Sequence, residues 1–400
     1  MSSKEKVDTV VSEVDQILPR LIEMSDWIGE HPELGSEEYK ASKLLASELE
    51  KHGFIVELGI LGMNTAFRAT YSGKKGGPRI AILSEYDALP GVGHGCGHNI
   101  IGTAGIGAGI AVSKLIDELK GEVIVLGTPA EEGHGPSSGA KKRMAEQGVF
   151  DDIDVAMMIH PTSGITNVSG GFLAISGVNI VFKGKPSHAA ASPHEGVNAL
   201  NAAMITFMAV HANRQQLRRD ANAVIHGIIT EGGLASNIIP DRAVLRFGVR
   251  SSDDSYVPEL IKMVENSARG AAIATGCKVE ITSSPGLKSK IGNKALEELF
   301  YSIFQQLGEP VEDPVITASK PPSGSTDFAE VTHIIPGIHP MVSIAPESVA
   351  GHSYELAEAT FSEAGHHGLE IGTKAMAIAT MEILSNNTLL EKIKTEKKKD

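Results

Sequence analysis

The sequence predicts an α/β fold, a mixed sheet with helices on both faces, interrupted by a smaller α+β domain. Apolar strands alternate with helices through the first third of the 400 residues, a pattern typical of a sheet covered on both sides. Near residue 175 the order changes to β-α-β-β-α-β, and the earlier alternation returns after residue 286. A hydrophobic content of 42% is enough for two or three cores.

The first third supplies the strands of the larger domain. Helical periodicity covers residues 8–30 and 37–52, and FIVELGI and NTAFRATYSG follow as strands. Three later segments each run from a continuous apolar strand into a loop: PRIAILSEYDALP, EVIVLGTPAEEG and VAMMIHP. A helix over about 101–119 separates the first two of them.

The middle of the chain predicts an inserted domain. Its strands are ISGVNIVFKGK, AVIHGIITEGG, RAVLRFGVRSS and KVEITSSP, with helices over about 195–218 and 254–275. This order is the ferredoxin-like arrangement, a sheet with helices on one face. We therefore expect a discontinuous domain at 1–174 and 289–400 and an inserted domain at 175–288.

Composition narrows the class of protein. A formal charge of −13 and a pI near 5.6 argue against nucleic-acid and anionic-membrane partners. No apolar run approaches the roughly 20 residues of a membrane span, and the N-terminus has no apolar signal core. The chain has two cysteines, too few for a disulfide framework, so we expect a cytoplasmic protein.

Candidate functional residues follow three of the apolar strands. Asp87, Glu131, Glu132 and His160 all stand where a buried strand gives way to a loop. Ligands of open α/β sheets bind at the carboxyl ends of the strands, so these side chains are expected to share one crevice. The stretch HGCGHN, residues 94–99, follows the first of these loops directly.

Cys96 in HGCGHN has three interpretations. A buried structural thiol is the ordinary one, but the flanking glycines and histidines would pack poorly. A cysteine nucleophile with a histidine base is the second. Metal ligation is the third, and it is favoured because thiolate, imidazole and carboxylate are the ligands of Zn²⁺ and similar cations.

The pair Glu131 and Glu132 also has two interpretations. Two acids can simply stabilise a helix start through the macrodipole. Alternatively, since consecutive loop side chains point in different directions, one can bind metal while the other acts as a general base.

Eight motifs in this order resemble a known family: DALPG, GCGHN, TPAEEGHG, IHP, KGKPSHAAASPHEGVNAL, SNIIPDRA, GSTDF and AGHSYE. The chain resembles the metallopeptidase clan MH of aminoacylases, glutamate carboxypeptidases and carnosinases. It is most similar to the amidohydrolase subgroup, which includes hippurate, auxin-conjugate and aminobenzoyl-glutamate hydrolases and β-alanyl-dipeptidase-like proteins. The resemblance implies a zinc-peptidase-like catalytic domain carrying an inserted lid that also forms a homodimer.

The resemblance also implies a catalytic centre with two divalent metal ions. Its metal ligands fall on Cys96, His98, Glu132, His160 and His352. Glu131 matches the general base that takes a proton from the water between the metals. Asp87 matches the carboxylate that orients a ligand imidazole.

The substrate-binding residues implied by the resemblance lie mainly in the lid. His188 matches a histidine that stabilises the oxyanion in the partner subunit's site. Asn237 and Arg250 match positions that contact the carboxylate end of the substrate, and Ser325 and Thr326 match pocket residues. By themselves His188 would be an ordinary surface histidine and Arg250 could belong to a structural ion pair.

The chain departs from the family pattern at two positions. Asn99 replaces an aspartate that follows CGH in many subgroup members, and Glu85 stands where distant carboxypeptidases have a metal-binding histidine. The remaining histidines, His94, His134, His194, His339, His366 and His367, are expected to be local or surface residues, although His94 and His134 are near enough in sequence to contact the metal ligands.

These residues predict a metal-dependent hydrolase of amide bonds in small N-acyl amino acids, aminobenzoyl-glutamate-like conjugates or dipeptides. The thiolate favours Zn²⁺, with Mn²⁺, Co²⁺ and Ni²⁺ as alternatives. Two rival interpretations stay open: a metal-independent cysteine hydrolase using Cys96, and a non-catalytic small-molecule binding protein on the same fold.

Overall fold

A computed structural model of the chain describes residues 3–115, 119–284, 286–322 and 324–397. The helices in chain order are α1 (Ser3–Glu30), α2 (Tyr39–Lys51), α3 (His98–Ser113), α4 (Ala140–Glu146), α5 (Ala199–Asn213), α6 (Val257–Thr275), α7 (Lys294–Gln306), α8 (Pro314–Ser319), α9 (Phe328–Thr332), α10 (Tyr354–Ala359), α11 (Glu363–Ser385) and α12 (Asn387–Lys397).

The strands, in the same order, are β1 (Ile55–Leu58), β2 (Phe67–Ser72), β3 (Lys74–Ser84), β4 (Lys120–Gly127), β5 (Val155–Met157), β6 (His160–Ser163), β7 (Ala174–Lys183), β8 (Val224–Glu231), β9 (Arg242–Ser251), β10 (Lys278–Ser283), β11 (Gly337–Ile338) and β12 (Met341–Ala345).

The chain divides into two compact units. Unit 1 comprises Met1–Gly170, Ile291–Lys320 and Glu330–Asp400, and unit 2 comprises Gly171–Lys290 and Pro321–Ala329. The segment Pro321–Ala329, which carries the GSTDF motif, groups with unit 2, whereas the sequence places it in the larger domain. The domain boundaries expected from the sequence stay a prediction.

Unit 1 contains the mixed sheet that the sequence predicts. Its strand order is β1-β2-β4-β3-β5-β11, with β1 and β2 antiparallel to their neighbours and the other four strands parallel. Helix α3 is apolar on all sides and buried along its whole length, where it packs against β3 and helices α1 and α11. This packing fixes the start of α3, where the candidate site begins.

Parallel pairing brings the candidate loops to one edge of the sheet. Ser84 at the end of β3 pairs with Gly127 at the end of β4, so the loops that follow both strands emerge side by side. The segment predicted as one strand at 155–161 is two strands, because β5 pairs with β3 and β11 while β6 pairs in parallel with β12. His160 is therefore the first residue of β6.

Unit 2 has the ferredoxin-like arrangement predicted from its sequence. Its elements follow the order β7-α5-β8-β9-α6-β10, and its antiparallel sheet has the strand order β10-β7-β9-β8. Helices α5 and α6 pack against each other and bury apolar residues of the sheet such as Phe182 and Leu245. Cys277 belongs to this core.

Some expectations fall outside the described residues or differ at their ends. The helix predicted over about 101–119 begins at His98 and ends at Ser113, and residues 116–118 lie outside the described residues. Helix α12 ends at Lys397, and residues 398–400 likewise lie outside the described residues. Within the described ranges, no helix is long and apolar enough to cross a membrane.

Candidate active site

His98 is the first residue of α3, and its orientation is fixed from two sides. Gly97 before it has a left-handed φ of 75°, and a Cβ there would lie 2.7 Å from the ring of Pro161. Glycine is required both by this backbone conformation and by this close approach. The Nδ1 atom of His98 lies 2.9 Å from Oδ1 of Asp87, so its Nε2 atom points away from this carboxylate into the site.

Asp87 holds two parts of the site at once. Its Oδ1 atom accepts a hydrogen bond from Nδ1 of His98, and its Oδ2 atom accepts the backbone N–H of Glu132 at 3.0 Å. Burial alone would raise the pKa of Asp87, but the His98 imidazole outweighs burial and lowers it. Burial likewise opposes protonation of His98, and the Asp87 carboxylate outweighs it and raises the pKa of His98 well above its usual value.

Cys96 lies between two of the predicted ligands. Its Sγ atom is 3.4 Å from Nε2 of His160 and 3.5 Å from Nε2 of His352. Burial raises the pKa of the Cys96 thiol to about 12, so the protein atoms alone favour the protonated form. A bound cation would favour the thiolate instead.

His160 presents one nitrogen to the site because its other nitrogen is occupied. Nδ1 lies 2.6 Å from the carbonyl oxygen of Pro161, which can only accept, so Nδ1 carries the proton. Burial, together with the nearby His98, lowers the pKa of His160 to about 4. The ring is therefore neutral at physiological pH, and its Nε2 lone pair faces Cys96.

His352 reaches the site from a strained loop. Its φ of 57° is left-handed, which is uncommon for a residue other than glycine. The conformation is held by a backbone hydrogen bond from the His352 N–H to the carbonyl oxygen of Gly95, 3.0 Å long. Its Nε2 atom lies 3.8 Å from Oε1 of Glu132.

Glu131 and Glu132 follow a second strained residue. Ala130 has a φ of 58°, which turns the chain sharply after β4. Oε2 of Glu131 and Oε1 of Glu132 lie 4.0 and 3.9 Å from Nε2 of His98. Both acids thus face the same imidazole, rather than a helix start as in the alternative interpretation.

The donor atoms are arranged as a metal centre requires. Three groups bring one ligand atom per residue within 4.8 Å of one another: Cys96, His98 and His160; Cys96, Glu132 and His352; and His98, Glu131 and Glu132. In the described part of the chain, buried Nε2 of His98 and Oε1 of Glu132 have no hydrogen-bond partner. Buried polar atoms normally have one, so these atoms and their mixed donor set fit divalent cations.

The sequence missed two charged or polar neighbours of this centre. Lys141 in α4 is fully buried, and its Nζ atom lies 2.5 Å from Oε1 of Glu85. The other carboxylate oxygen of Glu85, Oε2, is 3.4 Å from Nε2 of His98. His339, expected to be local or surface, is buried with its ring centroid 5.4 Å from that of His160. The sequence around neither residue indicates that it is buried beside the site. A lysine on a short charged helix, for example, is usually exposed.

In unit 2, His188 lies beside Asn237. His188 forms an isolated antiparallel β-bridge with Ile238, and the Ala189 N–H donates to the carbonyl oxygen of Asn237 at 2.9 Å. The Nδ1 atom of His188 accepts the N–H groups of Ala190 and Ala191 at 3.2 and 3.1 Å. Nδ1 therefore carries a lone pair, and the exposed Nε2 atom carries the proton and can donate it.

Arg250 in β9 lies beside Ser325, also within unit 2. Its Nη1 atom donates to Oγ of Ser325 at 2.9 Å, and this hydroxyl donates to the Leu173 carbonyl oxygen at 2.7 Å. No ion pair is found for Arg250 in the described residues, and partial burial lowers its pKa. Thr326 is buried, and its Oγ1 accepts the Phe328 N–H, so this hydroxyl is already engaged locally.

Comparison with known proteins gives several matches. Residues 81–379 match the model of peptidase family M20/M25/M40. The Xaa-Arg dipeptidase of Mus musculus is 35% identical over 96% of this chain and 90% of its own. A p-aminobenzoyl-glutamate hydrolase chain of Escherichia coli is 34% identical over 73% of this chain and 63% of its own.

Among solved structures, a dinuclear metal binding peptidase from Bacillus subtilis has the same fold. It superimposes with a TM-score of 0.69 at 22% identity, over 92% of this chain and 99% of that one. The family resemblance and the hydrolase class expected from the sequence motifs are confirmed by these matches. The chain belongs to peptidase family M20/M25/M40.

Proposed function

We propose that this protein is a metal-dependent amidohydrolase that cleaves small N-acyl amino acids, aminobenzoyl-glutamate-like conjugates or dipeptides. The observation that carries the proposal is the convergence of Cys96, His98, Glu132, His160 and His352 on one site. Glu131 stands next to the ligand Glu132 and faces the same imidazole. A general base adjoining a dinuclear centre is the arrangement that amide hydrolysis needs.

The relatives support the substrate class. The mouse relative is a dipeptidase by name and the Escherichia coli relative an aminobenzoyl-glutamate hydrolase. Both reactions break an amide bond to an amino acid with a free carboxylate. A substrate of this kind offers an anionic end that the guanidinium of Arg250 can bind.

The reaction divides between the cations and the residues of the chain. Bound divalent cations would polarise the scissile carbonyl and lower the pKa of a water toward about 7. Glu131 takes the proton of the attacking water as the new C–O bond forms. It then gives this proton to the amine nitrogen as the C–N bond breaks. Asp87 keeps His98 oriented and Glu132 in place throughout.

Residues of unit 2 bind the substrate in this proposal. The Nε2–H of His188 donates to the developing oxyanion, a role that its fixed tautomer suits. Arg250, supported by Ser325, binds the carboxylate, and Asn237 contacts the same end of the substrate. Thr326 supports this pocket from its buried position.

Elemental analysis beside a hydrolysis assay tests the proposal. The assay panel contains N-acyl amino acids, aminobenzoyl-glutamate and dipeptides, with and without chelator. We expect about two metals per chain, most of them zinc because of the Cys96 thiolate, and activity that chelator removes and metal restores. Manganese, cobalt and nickel in the add-back series measure the alternatives to zinc.

Two outcomes would refute the proposal. Metal-free protein that still cleaves amides would favour Cys96 as a nucleophile. Metal-loaded protein that binds substrates without cleaving any would favour a binding protein on this fold.

We also propose that unit 2 is a lid and forms a homodimer. Strand β8 is at the edge of the unit 2 sheet, where unpaired backbone groups can join a second strand. Ile228 on β8 is 60% exposed and Met208 on α5 is 71% exposed. Sedimentation of the wild type and of Ile228→Lys tests this: the wild type should be dimeric and the variant shifted toward monomer.

A cytoplasmic location is part of the proposal. Both cysteines, Cys96 and Cys277, are free thiols, and Cys96 must stay reduced to bind a metal. Fractionation of the native host with a thiol-labelling reagent tests the location and redox state together.

A further inference from the structure

A buried glutamate of unit 1, Glu38, has no part in the reaction described above. It is completely buried, and each of its carboxylate oxygens accepts one hydrogen bond. Oε2 accepts the hydroxyl of Thr65 and Oε1 accepts the backbone N–H of Ala130, both at 2.8 Å. Ala130 directly precedes Glu131, so Glu38 is one peptide unit away from the proposed base.

Helix capping does not explain this carboxylate. Glu38 occupies the N-cap position of α2, but its side chain makes no capping hydrogen bond. The side chain of Glu33 accepts the backbone N–H groups of Lys40 and Ala41 at the start of α2 instead. The Glu38 side chain is thus directed away from its own helix, toward the loop after β4.

Stability does not explain it either. Burial raises the pKa of Glu38 to about 7, and its hydrogen bonds only partly offset this effect. This place therefore disfavours the charged form of the Glu38 carboxyl group. In this place the Glu38 side chain accepts the backbone N–H of Ala130.

The Glu131 backbone is held on both sides by buried carboxylates. Glu38 accepts the N–H of Ala130, and Asp87 accepts the N–H of Glu132. Between them lies the left-handed Ala130, a conformation that is unfavourable in a non-glycine residue and persists only when neighbours enforce it. Without the bond from Glu38, the chain is free to relax from this turn.

The segment that carries Glu38 also contacts the rest of the loop after β4. A Cβ at Gly35 would lie 2.9 Å from the Cβ of Ala130 and from the carbonyl oxygen of His134, so this packing requires glycine. Oγ of Ser36 donates to the His134 carbonyl oxygen at 3.0 Å and accepts the Ser137 N–H at 2.9 Å. The loop is thus supported along its length by residues 35–38.

We propose that Glu38 is a positioning residue that holds the Ala130 turn and thereby aims the Glu131 carboxylate. The inference rests on the proposed function, because it assigns Glu38 a role through Glu131. A misplacement of the base by about 1 Å can lower turnover by about 10²-fold. The expected signature is a loss in kcat at constant metal content.

The test compares Glu38→Ala with Glu33→Ala, a glutamate of the same segment that caps α2 and does not touch Ala130. We expect Glu38→Ala to lower kcat by about 10- to 100-fold with KM changed less than about threefold and the metal content unchanged. Glu33→Ala should lower thermal stability but leave kcat near that of the wild type. Glu38→Gln should recover most of the loss, since its amide oxygen can still accept the Ala130 N–H.

A second readout does not depend on activity. Hydrogen exchange in a peptide covering residues 128–137 should be faster in Glu38→Ala than in the wild type and unchanged in Glu33→Ala. Should Glu38→Ala not fold, Glu38→Asp, whose carboxylate is one methylene too short for both bonds, takes its place with the same expectations.

Three results would overturn the inference: a kcat of Glu38→Ala within about threefold of the wild type, a loss that follows metal loss, or an equal loss in Glu33→Ala. Failure of the proposed function gives a different result. The wild type would then cleave nothing in the panel, while the exchange experiment would still report whether Glu38 holds the loop.

Discussion

The two units hold their candidate functional residues in opposite ways. In unit 1, His98 and Asp87 are buried and Glu132 is half-buried, and direct hydrogen bonds join them, so moving one displaces the others. In unit 2, His188 and Asn237 are exposed, and Arg250 is bonded to a neutral hydroxyl rather than to an acid. The candidate residues of unit 1 thus fix one another in place, whereas those of unit 2 are less constrained by acidic partners.

This difference separates the expected effects of substitution. Residues of unit 1 orient one another, so replacing one should change the chemical step or the metal content. In the proposed function, residues of unit 2 contact the substrate directly, so replacing one should change binding first. The predictions below test this separation, beginning with the largest effect.

Glu131→Gln should cause the largest loss of activity. The amide cannot accept the proton of the attacking water, and general-base catalysis contributes about 10² to 10⁴ in rate. We expect kcat to fall by about 10²- to 10⁴-fold while elemental analysis still finds the wild-type metal content. The matched control is the next residue, since Glu132→Gln should lose metal as well as activity. Equal metal loss in both variants would contradict the assignment of separate roles.

Arg250→Ala should mainly weaken substrate binding. A charge-assisted hydrogen bond contributes about 1.5–3 kcal/mol, so kcat/KM should fall by about 10- to 100-fold, chiefly through KM. Arg246→Ala is the control, because Arg246 is an exposed arginine of the same strand. A substrate analogue without the carboxylate should bind wild type and Arg250→Ala alike. An equal effect at Arg246 would indicate general charge attraction rather than a specific contact.

The sequence predicted the parts of the molecule that depend on local pattern. The ferredoxin-like order of unit 2 follows from alternating strands and helices, and Cys96 and His98 stand out because glycines flank them. The division of 155–161 into β5 and β6 was not predicted, because it depends on which strands pair.

Long-range contacts account for the neighbours of the candidate site that the sequence did not single out. Glu38 reads as an acid at a helix start, and Lys141 as an exposed lysine of a charged helix. Only folding brings Glu38 to Ala130, 92 positions along the chain, and Lys141 to Glu85. The motifs single out candidate ligand-binding residues, but the residues that hold those motifs in place carry no comparable signal.

The third expected effect concerns stability rather than catalysis. Burial raises the pKa of Glu38 to about 7 from its ordinary 4.5. The folded state therefore binds this proton more tightly than the unfolded state. The resulting stability is fully present below about pH 4.5 and is lost as the pH rises through about 7.

Glu38→Gln removes the titrating group, so comparing the unfolding free energies of the variant and the wild type measures its contribution. Relative to the variant, the wild type should lose about 3 kcal/mol of unfolding free energy between pH 4.5 and pH 8, since each pKa unit corresponds to about 1.4 kcal/mol. Urea unfolding of both metal-free proteins, followed by the fluorescence of Trp27, the single tryptophan, gives the difference at each pH. Since all other groups titrate equally in the two proteins, a difference that does not change with pH would mean that Glu38 is not a strained buried carboxylate. The contrast between a buried unit 1 site and an exposed unit 2 site would then rest on the metal ligands alone.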